Sequence, residues 1–106
     1  IGDAPIGYSC SKAAVNMFVR CKAVELSRLG IRINAIEPGN IMFDGSVWDY
    51  RAKSDPQSIE RVLNTVPLKT FGSARDIASL VWFLLSEHSQ FTTGSIFRSD
   101  GGQSLL

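Results

Sequence analysis

The sequence predicts an α/β fold organised on a parallel sheet, and three features carry that expectation. A long helical run, about residues 8–29, ends at Gly30, a residue suited to a left-handed helix stop. Residues 31–36, Ile-Arg-Ile-Asn-Ala-Ile, follow at once as a short β-branched strand closed by Pro38-Gly39. A helix joined through one glycine to a buried strand is the second half of a parallel βαβ unit, and residues 95–99 supply another strand.

Taken in order, Gly2, Pro5 and Gly7 mark residues 1–7 as a loop leading into the first helix. That helix carries two apolar stripes, Ala14, Met17, Phe18, Cys21 and Val24 on one, Val15, Val19, Ala23 and Leu26 on the other. A single stripe suffices for a helix lying on one sheet. The second implies a further covering surface, either another helix or a neighbouring subunit. Beyond the first strand, Pro38, Gly39, Asn40 and Ile41 fall where open parallel sheets bind ligands, outside the carboxyl ends of the strands. Gly39 allows backbone to approach a ligand closely, and Pro38 stiffens the turn; a plain strand-ending turn fits the same residues.

Residues 40–55 read as a long connection carrying Met42, Phe43, Val47, Trp48 and Tyr50, suited to a lid over an apolar pocket or to a structural loop. Asp55-Pro56 opens a short helix, since proline is favoured at the first helical position. Ile59, Val62, Leu63 and Val66 keep helical spacing until Pro67. After a turn at Phe71-Gly72, Ser73 and Asp76 have capping-box spacing. The helix they start carries a core stripe of Ile77, Leu80, Val81, Leu84 and Leu85. Thr92-Thr93-Gly94 turns into the last strand, which Asp100-Gly101-Gly102 ends. The total, about two strands and three helices, falls short of a covered parallel sheet of about five or six strands. The remaining strands are expected from residues preceding Ile1 or from another chain.

The chemistry centres on Tyr8 and Lys12. Residues four apart lie on one helical face, about 5–6 Å apart between Cβ atoms. A positive charge beside a phenol favours the phenolate, so such a tyrosine can give and take a proton as a general acid or base. Composition narrows the partners. A net charge of +1 with both signs interspersed and no basic block argues against nucleic acid. No apolar run approaches the ~20 residues that span a bilayer, which argues against a membrane partner. Cys10 and Cys21 on one helix would stand about 16 Å apart, beyond the ~7 Å limit of a disulfide. Two reduced thiols fit a cytoplasmic protein. No His/Cys/Asp/Glu cluster has metal-ligand spacing, so no metal is expected, and lone His88 reads as a surface residue.

Several segments together resemble the short-chain dehydrogenases/reductases, with the β-ketoacyl-carrier-protein reductases the nearest in flavour. They are Tyr8-Ser9-Cys10-Ser11-Lys12-Ala13-Ala14 and Gly30-Ile31-Arg32-Ile33-Asn34-Ala35-Ile36-Glu37-Pro38-Gly39. Pro67-Leu68, Phe71-Gly72, Asp76-Ile77-Ala78, Phe83-Leu84, Thr93-Gly94 and Asp100-Gly101-Gly102 follow in order. The resemblance implies a Rossmann-type doubly wound parallel sheet. Residues 1–106 would be the carboxy-terminal part of a single domain, without its amino-terminal dinucleotide-binding part.

It further implies an oxidoreductase that interconverts a ketone and a secondary alcohol with NAD or NADP. Tyr8 would act as acid/base, and Lys12 as its electrostatic partner and a ligand to the nicotinamide ribose. Pro38, Gly39 and the backbone of Ile41 would lie on the nicotinamide side, while Met42, Phe43, Trp48 and Tyr50 would form the substrate loop. Family members pack as homodimers or homotetramers. The glycine-rich turn, a catalytic Ser and a relay Asn belong upstream of Tyr8. Phe43 departs from the pattern, standing where the family usually carries a Thr that contacts the cofactor.

Two rival readings stand beside this one. Ser9-x-x-Lys12 has the spacing of serine–lysine acyl-transfer enzymes, but Lys69-Thr70 is followed by Phe71 and no Ser-Asp-Asn occurs. The second is an inactive truncated fragment acting as an assembly or interaction module. Cys10 reads as a small packing residue.

Overall fold

The computed structural model describes residues 5–105, and the chain divides into two compact units: Ile1–Ile36 with Phe83–Phe97, and Glu37–Trp82 with Arg98–Leu106. Among the described residues the elements run α1 (Ile6–Ser27), β1 (Ala35–Pro38), β2 (Ile41–Met42), α2 (Val47–Ser54), α3 (Pro56–Asn64), β3 (Gly72–Ser73), α4 (Ala74–Leu85) and β4 (Ile96–Ser99). Short 3₁₀ turns occupy Glu87–Ser89 and Gln103–Leu105. The α/β class is as expected, with more elements than expected. The first four positions of the loop foreseen over residues 1–7 lie outside the described residues; Ile6 and Gly7 are already helical.

In the first unit, α1 ends in a Schellman motif. Gly30 stands at φ +70°, the Gly30 N–H donates to Ser27 O, and the Ile31 N–H donates to Leu26 O. A side chain at that φ costs roughly 1–2 kcal/mol. Gly30→Ala is therefore expected to destabilise the protein by about that amount, readable as a lower midpoint in urea unfolding with an unchanged slope.

Of the two stripes on α1, the one with Val19 and Ala23 is buried. The other is not: Met17 (58% exposed), Phe18 (56%) and Val24 stand open, as does Val15 from the buried side's own row. Cys10 is exposed as well, so it is not a packing residue, and Cys10 and Cys21 are both free thiols.

The strand foreseen at 31–36 begins instead at Ala35 and includes Pro38. Side chains explain the shift. Ile33 N–H donates to Thr93 Oγ1, Asn34 Nδ2 donates to Thr92 O, and Ser95 N–H donates to Asn34 Oδ1. These bonds occupy groups that a strand ladder would use. Arg32 likewise spends its guanidinium on the carbonyls of Thr92 and Ser86. Regular pairing with β4 begins where Ala35 N–H donates to Ser95 O.

In the second unit, Gly39 N–H donates to Ser99 O, so β1 and β4 advance in step and are parallel. The long connection foreseen over 40–55 is instead β2, a turn and the eight-residue helix α2. Ser46 caps α2 by accepting from the Asp49 N–H, and the Asp49 carboxylate accepts from the Gly45 N–H one residue before the cap. β2 pairs in parallel with β3, Ile41 opposite Gly72 and Met42 opposite Ser73.

Asp55 caps α3 through the Ser58 N–H, with Pro56 in the first turn. The expected stripe Ile59, Val62 and Leu63 is half-buried, and Val66 beyond the helix is 2% exposed. Burying it contributes about 1.5–3 kcal/mol. Ser73 and Asp76 cap α4 reciprocally, as their spacing foretold. The stripe on α4 is narrower than foreseen: Leu84 is buried, Ile77 and Leu80 are half-buried, but Val81 and Leu85 are exposed. His88 is exposed.

Candidate active-site elements

Tyr8 and Lys12 lie in the first turns of α1, where the helix's own geometry sets them one turn apart. The Lys12 ammonium sits 5.3 Å from the centroid of the Tyr8 ring, over its face. Tyr8 is 58% exposed and Lys12 is exposed. The hydroxyl of Ser11 is turned back onto the Tyr8 carbonyl at 2.7 Å. The pair thus presents an open phenol with a cation beside it. A phenol and an ammonium on one helical face can both donate hydrogen bonds to a bound ligand.

Pro38, Gly39, Ile41, Met42, Phe43, Trp48 and Tyr50 all belong to the second unit. Pro38 ends β1 and is exposed, while Gly39 is wedged: a Cβ there would stand 2.6 Å from Asp100 Cα. Ile41 and Met42 form β2, so the backbone after Gly39 is a strand, not a free loop. Trp48 on α2 packs against Phe71 with ring centroids 5.3 Å apart, and the Arg51 guanidinium caps the Trp48 ring at 5.0 Å. Phe43 and Tyr50 are exposed. The four residues foreseen on one substrate loop are therefore spread over a strand, a turn and a helix. The aromatic stack and the Ser46 cap give that stretch its order.

Sequence reasoning missed what backs the turn after β1. Val66, Leu68, Thr70, Phe71, Asp76 and Asp100 line a cavity of about 280 Å³ that also touches Gly39 and Asn40. Behind it, Asn40 Nδ2 donates to Gln103 Oε1 at 3.0 Å. Asp100 accepts from the Gly102 and Ser104 N–H groups, which ties the carboxy-terminal turn together.

Hydrogen bonding by the Ser104 side chain is the chief reason that the Asp100 carboxyl is held below its ordinary value of 3.8; the two N–H groups and the Arg98 charge act the same way, and partial burial opposes them. Asp76 is lowered by Ser73, and Asp49 by Lys53 and Gly45. A carboxyl lowered on folding stabilises the fold above its ordinary value and ceases to do so as pH falls through the lower, folded value. The melting temperature is expected to be level above about pH 5 and to fall below about pH 4. Asp100→Asn should lower it at neutral pH, and the gap to the unsubstituted protein should close in acid.

A family model described as enoyl-(acyl carrier protein) reductase matches residues 2–104. The L-xylulose reductase of Caenorhabditis elegans is 38% identical over 95 residues, which cover 90% of this chain and 37% of that protein. Among solved structures, a short-chain dehydrogenase family protein from Francisella tularensis superposes with a TM-score of 0.86 at 27% identity, covering 100% of this chain and 46% of that one. A 4-hydroxyisoleucine dehydrogenase complexed with NADH gives 0.84 at 30% identity, covering 93% and 40%. The chain thus spans about two-fifths of the length of the curated relative it matches. These likenesses identify the parallel strands and their helices as part of a Rossmann-type α/β sheet. The family model and the structural likeness agree: this chain belongs to the short-chain dehydrogenase/reductase family.

Proposed function

We propose that residues 1–106 are the carboxy-terminal part of one dehydrogenase/reductase domain that interconverts a ketone and a secondary alcohol. The observation that carries this reading is the Tyr8–Lys12 pair, an exposed phenol with an ammonium 5.3 Å from its ring centroid. A nicotinamide dinucleotide, NAD or NADP, supplies or accepts the hydride when bound. The donor set fits such a group, since a phenol and an ammonium one helical turn apart can both meet ribose hydroxyls. The related 4-hydroxyisoleucine dehydrogenase is complexed with NADH, which supports the same cofactor class here.

In the reducing direction, hydride arrives at the carbonyl carbon and the C=O electron pair moves onto oxygen. Tyr8 gives its hydroxyl proton to that oxygen and is left as phenolate. Lys12 stands by as its electrostatic partner, the ammonium 5.3 Å from the ring centroid. In the oxidising direction Tyr8 takes the proton back. Pro38, Gly39 and the Ile41 backbone serve the nicotinamide side, and Met42, Phe43, Trp48 and Tyr50 meet the substrate. The exposed Met17, Phe18 and Val24 support a homodimer or homotetramer, and the two free thiols support a cytoplasmic setting. Among the described residues no helix is long and apolar enough to cross a membrane.

The test is turnover of a panel of secondary alcohols and ketones by the intact protein, followed through the absorbance of the reduced nicotinamide. No turnover with either dinucleotide would sink the reading. Lys12→Ala is expected to weaken dinucleotide binding by about tenfold or more, the worth of a charged hydrogen bond, and to slow turnover as well. Unchanged cofactor affinity would remove its ribose role. The same exposed stripe on α1 favours a second reading, an assembly module without turnover. Specific self-association with no dinucleotide binding would select it.

A further inference from the structure

The geometry points to Gln103 as a positioning residue that fixes the turn after β1. This assignment rests on the reading of Gly39 and Ile41 as the nicotinamide side. Asn40, between them, is half-buried and held from two directions. Its carbonyl accepts from the Gly72 N–H at 3.0 Å, which fixes the backbone where β2 meets β3. Its side-chain amide donates to Gln103 Oε1 at 3.0 Å.

Gln103 is itself fixed at both ends. Its N–H donates to the Asp100 carbonyl at 3.2 Å, and its Nε2 donates to Thr65 Oγ1, also at 3.2 Å, just past α3. Around it Asp100 accepts from the Gly102 and Ser104 N–H groups, and Arg98 ties Ser104 to Glu37. The carboxy-terminal turn is thus a stiff plate behind residues 39–41, and Gln103 is its one side-chain bond to Asn40 among the described residues. A planar amide with an acceptor at one end and a donor at the other bridges Asn40 and Thr65 in a single residue. Loss of the bridge frees the Asn40 side chain and lets the turn relax away from the conformation that meets the nicotinamide end.

Binding to the intact protein separates positioning from plain stability. The ligands are reduced nicotinamide dinucleotide, in both phosphate forms, and ADP-ribose, which lacks nicotinamide. Gln103→Met keeps the length and removes both bonds. It should weaken dinucleotide binding by about 3–10-fold, the worth of one to two neutral hydrogen bonds, and leave ADP-ribose affinity unchanged. Gln103→Glu keeps an acceptor for Asn40 and should restore most of the loss. Asn40→Ala should reproduce Gln103→Met, and the double variant should be no weaker than either alone, as expected for two ends of one bond.

Equal weakening of both ligands, an unaltered dinucleotide affinity in Gln103→Met, or additive losses in the double variant would each overturn the assignment. Absence of dinucleotide binding by the unsubstituted protein is a distinct outcome. It refutes the cofactor reading itself, and the role of Gln103 falls with it.

Discussion

Tyr8→Phe is expected to lower kcat/KM of the intact protein by about 10²–10⁴-fold, the usual contribution of a general acid or base, and to leave its melting temperature unchanged. The two halves of that expectation have different sources. The phenol is 58% exposed, so its oxygen holds no core together and its loss opens no cavity. Phenylalanine keeps the ring face over which the Lys12 ammonium lies, so the cation stays in place. The hydroxyl alone is removed, and with it the transferable proton. Retention of more than about a tenth of kcat/KM would end the proton-transfer role, because even weak general acid–base groups contribute more than that. A Tyr8→Phe variant that also unfolds early would show that the hydroxyl has a structural duty its exposed position gives no sign of.

The second large effect concerns Gly39, where one methyl group is enough to break the local architecture. A Cβ at this position would stand 2.6 Å from Asp100 Cα and 2.8 Å from Asp100 Cβ. Asp100 cannot step aside easily. Its carboxylate is anchored by the N–H groups of Gly102 and Ser104, and its carbonyl accepts from Gln103. Relief of the clash means opening the end of the β1–β4 pair, where Gly39 N–H donates to Ser99 O. Gly39→Ala is therefore expected to cost about 3 kcal/mol, the upper end of ordinary overpacking. Urea unfolding of the two proteins side by side would measure it. A cost below about 1 kcal/mol would mean that the turn can yield. Gly39→Ala should also weaken the hold on Asn40, since both contacts run through the Asp100 turn.

The sequence was most readable where the determining interactions are local. The Tyr8–Lys12 juxtaposition depends only on helical periodicity, and Gly30 and the Ser73–Asp76 cap act within a few residues of themselves. Both strands near the expected positions formed, but the first began late because Asn34 and Thr93 spend side-chain groups on backbone partners about 60 residues away. Such bonds have no local sequence signature.

Helix α2 was hidden for another reason. Val47, Trp48, Asp49 and Tyr50 are mediocre helix formers, and only the spacing Ser46-x-x-Asp49 announced the helix start that the structure contains. β2 and β3 are two residues each, too short for any periodicity to appear. The bond between Asn40 and Gln103 joins positions 63 apart, and no pattern in either neighbourhood points to the other.

The length of α1 has one more effect. Twenty-two residues make a rod about 33 Å long. Tyr8 rides near one end of that rod, and Met17 and Phe18 stand bare along its middle. Any neighbour that grips those two side chains also sets the tilt of the rod, and with it the aim of the phenol more than two turns away. A contact at Met17 and Phe18 and the aim of the Tyr8 ring thus share a single lever.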